Sequence, residues 1–153
     1  MKSGRKLGAA AAVGTLMAGL TLGMTSSATA AQDDLSEVRA TVSAVMGDQV
    51  EGRRINATTL DYNGFTAKKA VSGQALNCEY EHLCMEVRGT EFSFYTCGKW
   101  NVTNWWGTGP YINNQTSGTV ARFYGKNGDQ LWKSTAYDSG TADWAPVWSL
   151  SPC

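Results

Sequence analysis

The feature that most constrains this chain is the placement of its four cysteines, Cys78, Cys84, Cys97 and Cys153, all in the second half of a 153-residue sequence. How they are used depends on the compartment, and the N-terminus points to export. Met1–Lys6 is a short positive region, Leu7–Met24 is uncharged and rich in Ala, Gly and Leu, and Ala28-Thr29-Ala30 is the small-x-small pattern of a cleavage site. Residues 1–30 are therefore expected to be a signal peptide. Gly8, Gly14, Gly19 and Gly23 weaken the run as a permanent membrane span, and no cysteine lies near the cleavage point to take a lipid. In an oxidising compartment the four cysteines are expected to form two disulfides rather than a zinc site or a catalytic thiol. Three connectivities are open. The spacing allows Cys78–Cys84 as a short clip, leaving Cys97–Cys153 to tie the C-terminus back. A unit of only 76 residues (78–153) buries a limited core, so such crosslinks matter.

Charge narrows the function classes. Beyond residue 30 the chain carries 10 basic and 13 acidic side chains, net −3. That balance argues against a nucleic-acid binder, which needs clustered Lys and Arg to displace counterions, and against a polybasic membrane patch. His82 is the one histidine, which excludes HExxH metal sites and makes most hydrolytic triads hard to build. Ser134, Ser139 and Ser149 lack the context of a nucleophile elbow. Glu79, Glu81, Glu86 and Glu91 nearly alternate and read as a solvated face rather than a glycosidase pair. His82 reads as a surface side chain on a tight clip. No catalytic residue, metal or cofactor is expected, and the chain is not expected to be an enzyme.

The region 31–77 differs from the rest. Leu35, Val38, Val42, Val45 and Met46 recur at helical spacing behind Asp33-Asp34, which predicts a short, frayed amphipathic helix with acidic residues at its favourable end. Asn63-Gly64 between Ile55–Tyr62 and Phe65–Val71 predicts a hairpin. Large aromatics are scarce here, so the segment is expected to be an N-terminal arm or pro-like piece. From Cys78 onward the pattern is β. Leu83–Val87 and Phe92–Cys97 flank Arg88-Gly89-Thr90, and Thr119–Tyr124 and Gln130–Lys133 flank Gly125–Asp129. Gly98–Gly118 joins the two hairpins as a long polar and aromatic connection. The expected fold is all-β, a compact Greek-key sandwich or barrel over 78–153.

The six tryptophans lie between Trp100 and Trp148. Most must be core, because each buries a large apolar area. Trp105 and Trp106 are adjacent, so in an extended segment they face opposite sides and one is exposed. The Trp105–Ile112 connection is thus the expected contact surface, with Trp105, Trp106 and Tyr111 as partner-binding candidates. Cys84-Met85 is the weaker candidate, since a strand inside a sheet has its backbone engaged.

Several stretches resemble one group of proteins. They are the Cys78…Cys84 clip leading into a strand, Tyr111-Ile112-Asn113-Asn114-Gln115-Thr116 followed by Gly118, Phe123-Tyr124…Asn127-Gly128, and Gly52…Ile55-Asn56-Ala57-Thr58…Tyr62-Asn63-Gly64. The group is the secreted actinobacterial proteins related to the metalloproteinase-inhibitor family with a βγ-crystallin-like fold. The resemblance covers roughly Gly52 to the C-terminus. It implies a disulfide-stapled crystallin-like sandwich, a Cys78–Cys84 bond, and inhibition of a thermolysin-like zinc peptidase. Such peptidases prefer a large apolar residue just after the scissile bond. The family's second short disulfide loop has no counterpart, because Cys97 and Cys153 are far apart. The crystallin calcium motif also fails, with Gly118 where Asn113-Asn114-Gln115-Thr116-Ser117 needs a final hydroxyl. The resulting expectation is a secreted, extracellular, monomeric peptidase inhibitor. The alternatives are a module that binds polysaccharide or cell envelope, with an antimicrobial role in view, and an extracellular structural crystallin-like protein.

Overall fold

The computed structural model describes residues 26–48 and 50–153. Most of the expected signal peptide, 1–25, lies outside the described residues, while Ser26–Ala30 form the start of a helix. The architecture is mostly β-sheet, two antiparallel sheets with one helix and two disulfides. Both disulfides pair as expected, Cys78 with Cys84 and Cys97 with Cys153.

Helix α1 (Ser26–Met46) starts before Asp33-Asp34, so these residues lie inside it rather than at its N-terminal end. Asp34 and Glu37 instead pair with Lys69, at 2.9 and 2.7 Å. The helix is not a frayed appendage. Leu35, Val38, Val42 and Val45 form a stripe that is buried in the common core. It ends at Gly47, whose φ of 86° is the left-handed cap that glycine tolerates.

The chain then forms β1 (Arg53–Arg54), β2 (Thr59–Asp61) and β3 (Phe65–Lys69). Strands β4 (His82–Val87) and β5 (Thr90–Phe94) follow, then β6 (Trp100–Asn101) and β7 (Thr108–Asn114). The last four are β8 (Val120–Tyr124), β9 (Gln130–Thr135), β10 (Asp138–Asp143) and β11 (Ser149–Ser151). The larger sheet has the order β1-β2-β3-β5-β4-β7-β10, and the smaller one β6-β11-β8-β9. The predicted hairpins are present: β2–β3 turns at Asn63-Gly64, β4–β5 at Arg88-Gly89, and β8–β9 at Gly125–Asp129. Arg88 and Gly89 both have positive φ, 53° and 71°, matching the twist of the strands they join.

Two expectations change. The segment 31–77, expected as an arm, supplies most of α1 and three strands, and β3 pairs along its length with β5. Its tie to the rest is ladder hydrogen bonding plus a buried apolar stripe, not loose docking. The Trp105–Ile112 connection is also shorter than expected, because β7 begins at Thr108 and pairs with both β4 and β10. Gly109 is needed there for close approach. A Cβ on it would lie 2.2 Å from the Glu86 carbonyl oxygen and 2.8 Å from the Trp144 indole nitrogen.

Aromatic side chains of both sheets share one core. Phe65 and Phe94 of the larger sheet pack on Trp100 of the smaller at 5.4 and 5.8 Å between ring centroids. Trp132 of the smaller stacks on Phe123 at 3.7 Å and meets Tyr111 of the larger at 5.2 Å.

Candidate functional site

The loop from Val102 to Gly107, between β6 and β7, is held from three directions. Val102 N–H donates to the Trp148 carbonyl at 2.9 Å. Thr103 N–H donates to the Val45 carbonyl at 2.8 Å, and Asn104 Nδ2 to the Ala44 carbonyl at 3.2 Å. Those two acceptors belong to the last turn of α1, where carbonyls lack intrahelical partners. On the other side, Trp144 N–H donates to the Gly107 carbonyl at 2.9 Å. Asn104 and Gly107 have φ of 52° and 88°, so the chain direction changes at both ends of the Trp pair.

The two tryptophans therefore separate. Trp105 is buried, packed 5.9 Å from Phe92 and edge-on to Trp144 at 5.6 Å. Trp144 is itself fixed, its Nε1 donating to the Glu86 carbonyl at 2.8 Å. Trp105 is thus an anchor, and a partner cannot reach it without opening the core. Trp106 is 56% exposed, and the Arg88 guanidinium lies over its ring at 4.8 Å. That contact braces the indole while leaving much of it in water. Tyr111 turns elsewhere. It packs on Trp132, and its hydroxyl donates to Asp138 Oδ2 at 3.0 Å. Burial, then the Asp138 contact, pushes its phenol above the ordinary value. Of the three sequence candidates, the structure presents Trp106, and brings neither of the others beside it on the surface. Cys84 and Met85 are fully buried in β4.

A second cluster went unread in the sequence. On the outer face of the larger sheet, Ser93 Oγ is 2.9 Å from His82 Nδ1 and 3.3 Å from Cys84 Sγ. His82 is accordingly half-buried against β5, not a free surface side chain. Glu91, expected on a solvated face, is buried and pairs with Lys68 at 2.9 Å. These residues line a cleft of about 250 Å³ together with Asn56 and Asn77. Within it Lys68 pairs with Glu91, and His82 with Ser93. The signal was the alternation itself, since Ser93 and Cys84 are direct cross-strand partners once the β4–β5 turn is placed. Among the described residues, no group of three or more His, Cys, Asp or Glu side chains could hold a metal ion. No helix among them is long and apolar enough to cross a membrane.

Next to the cleft, Tyr95 links β5 to the β2–β3 turn. Its hydroxyl donates to Asp61 Oδ1 at 2.5 Å and accepts from Gly64 N–H at 2.8 Å. The Tyr95 hydrogen bond, reinforced by Arg53 and the Asn63 amide, holds the Asp61 carboxyl below its ordinary range against a smaller opposing effect of burial.

Comparison with known proteins places the chain beside none of them: no family model, no curated protein and no solved structure matches it.

Proposed function

We propose that this chain is a secreted, non-enzymatic, monomeric protein of crystallin-like Greek-key sandwich type that binds a partner protein through the Trp106 loop. The partner proposed is a zinc peptidase, which it inhibits. The observation that carries the reading is one exposed tryptophan on a short loop whose backbone is fixed on both sides, with its neighbour Trp105 sunk in the core. A fixed loop loses little conformational entropy on docking, and an exposed tryptophan is among the strongest anchors a small interface can have. The peptidase class rests on the sequence resemblance and on the preference of such enzymes for a large apolar residue. Two disulfides support secretion, because they persist in oxidising compartments.

A second reading is a polysaccharide-binding module, favoured by the Arg88-braced indole, which offers a flat face for sugar stacking. One experiment separates the two. The mature protein is titrated against a panel of metallopeptidases and serine peptidases and, in parallel, passed over insoluble glycans. Stoichiometric inhibition of one metallopeptidase, weakened by Trp106→Ala, is the expected result. No inhibition across the panel overturns the inhibitor reading, and retention on a neutral glycan that depends on Trp106 replaces it with the second.

A further inference from the structure

The smaller sheet has an outer face whose charge does not serve the fold. On β8, Ala121 and Phe123 are fully buried, so alternation turns Arg122 and Tyr124 outward. On β9, Trp132 stacks inward on Phe123, which leaves Lys133 on the outer side. Arg122 and Lys133 are direct cross-strand partners. Like charges in that relation destabilise a sheet, and among the described residues neither has a carboxylate ion-pair partner.

Two further cations gather beside them. Lys99, immediately before β6, lies over the Tyr124 ring at 5.4 Å, and Lys126, in the β8–β9 turn, lies over Trp148 at 5.0 Å. Both lysines line a groove of about 320 Å³ together with Asn101, Ser149 and Trp148. Four of the 10 cations beyond residue 30 thus belong to β8, β9, the turn between them and the approach to β6, and those segments with β11 carry one of the 13 acidic side chains, Asp129 in the turn.

We infer that this face is a second binding surface, separate from the Trp106 loop, and that its occupant is an anionic polysaccharide, a polymer of carboxylated sugars. Charge complementarity is the main argument: a row of unpaired cations on an otherwise acidic protein attracts a polyanion and releases its counterions. The rings of Tyr124 and Trp148 hold the two ammonium groups in place, and Asn101 adds an amide for sugar hydroxyls. A nucleic acid fits less well, because four cations on a region (31–153) of net charge −3 make a weak electrostatic footprint for so dense a charge. A lipid surface fits less well too, because Trp148 is capped by Lys126 instead of standing clear to insert.

The test uses the full secreted chain with immobilised polygalacturonate, neutral dextran, phosphatidylglycerol vesicles and duplex DNA. Binding to polygalacturonate is expected to exceed the other three, and to fall roughly tenfold or more when salt rises from about 50 to about 200 mM. Lys133→Glu is expected to weaken it roughly tenfold, the scale of reversing a charge against several neighbours. The same substitution gives Arg122 an opposite charge across the strands, so its urea midpoint is expected to stay level or rise. Lys126→Gln is expected to weaken binding without changing stability. The inference is overturned by equal retention on dextran, by tighter binding to DNA or vesicles, by binding indifferent to both substitutions, or by a lower urea midpoint for Lys133→Glu. None of these outcomes depends on Trp106, so the inhibitor reading stands or falls separately.

Discussion

Replacing Leu35 with alanine tests whether the N-terminal segment is part of the folded unit. Leu35 is 1% exposed and belongs to the α1 stripe that packs against β3 and β2. Truncating a leucine at such a site removes its transfer free energy and leaves a cavity, together about 2–5 kcal/mol. For a folded unit of this size about 3 kcal/mol corresponds to a fall in Tm of roughly 12 °C. The ion pairs at the same junction behave differently. Lys69 and its partners Asp34 and Glu37 are all substantially exposed, so Lys69→Ala is expected to leave Tm almost unchanged.

A second consequence follows from where the helix ends. The Ala44 and Val45 carbonyls hold Asn104 and Thr103. Loosening α1 therefore frees the Trp106 loop, and amide exchange at Thr103 should speed up in Leu35→Ala but not in Lys69→Ala. Urea unfolding with the disulfides intact, followed by tryptophan fluorescence, gives the first quantity, and hydrogen exchange gives the second. A Leu35→Ala cost under about 1 kcal/mol, with Thr103 protected as in the parent, would refute the reasoning, since buried leucines in an integral helix do not behave that way.

Trp106→Ala should leave stability within about 0.5 kcal/mol of the parent while weakening partner binding in the inhibition titration, whereas Trp105→Ala should cost about 3–5 kcal/mol, the stabilities read from urea midpoints. Removing Cys97–Cys153 by paired serine substitution should cost about 4 kcal/mol against about 2 for Cys78–Cys84, because the first closes 56 residues and the second 6; the same unfolding assay orders them. Asp61 is held below its ordinary value of 3.8 in the folded chain, so the unfolded chain binds its proton more tightly. Its stabilising contribution is full above that value and is lost as pH falls through the lower folded value, so Asp61→Asn should flatten the acid limb of a stability-against-pH curve below about pH 4.

What the sequence revealed was chiefly local. Asn63-Gly64, Arg88-Gly89 and Asn127-Gly128 mark their hairpins because positive φ is demanded at the turn itself, whatever surrounds it. The Cys78–Cys84 clip is local in the same sense. By contrast, β10 reads Asp-Ser-Gly-Thr-Ala-Asp, with no apolar alternation, and becomes a strand only because β7 lies beside it with unpaired backbone groups. The role of Gly109 is hidden for a related reason. A glycine that permits contact with a distant carbonyl is indistinguishable, in sequence, from one that permits a turn. Glu91 reads as solvated because its partner, Lys68, comes from β3, whose register against β5 no local pattern fixes, whereas the β4–β5 turn already sets Ser93 near His82.

The Trp105-Trp106 pair shows where local reasoning stops and what completes it. Adjacency alone says that one indole goes in and the other out; it does not say which. The choice is made by contacts from far along the chain: Phe92 and Trp144 form the slot that takes Trp105, and the Ala44 and Val45 carbonyls fix the backbone just before it. Half of that arrangement comes from the segment that looked dispensable. A chain lacking 31–77 would present β5 as an unpaired edge and leave Thr103 and Asn104 without their helical acceptors. The loop would then sample many orientations, and the entropy of fixing it would be charged against binding. Retention of the N-terminal segment and the affinity of the Trp106 surface are therefore one physical question, answered by the same buried stripe of Leu35, Val38, Val42 and Val45.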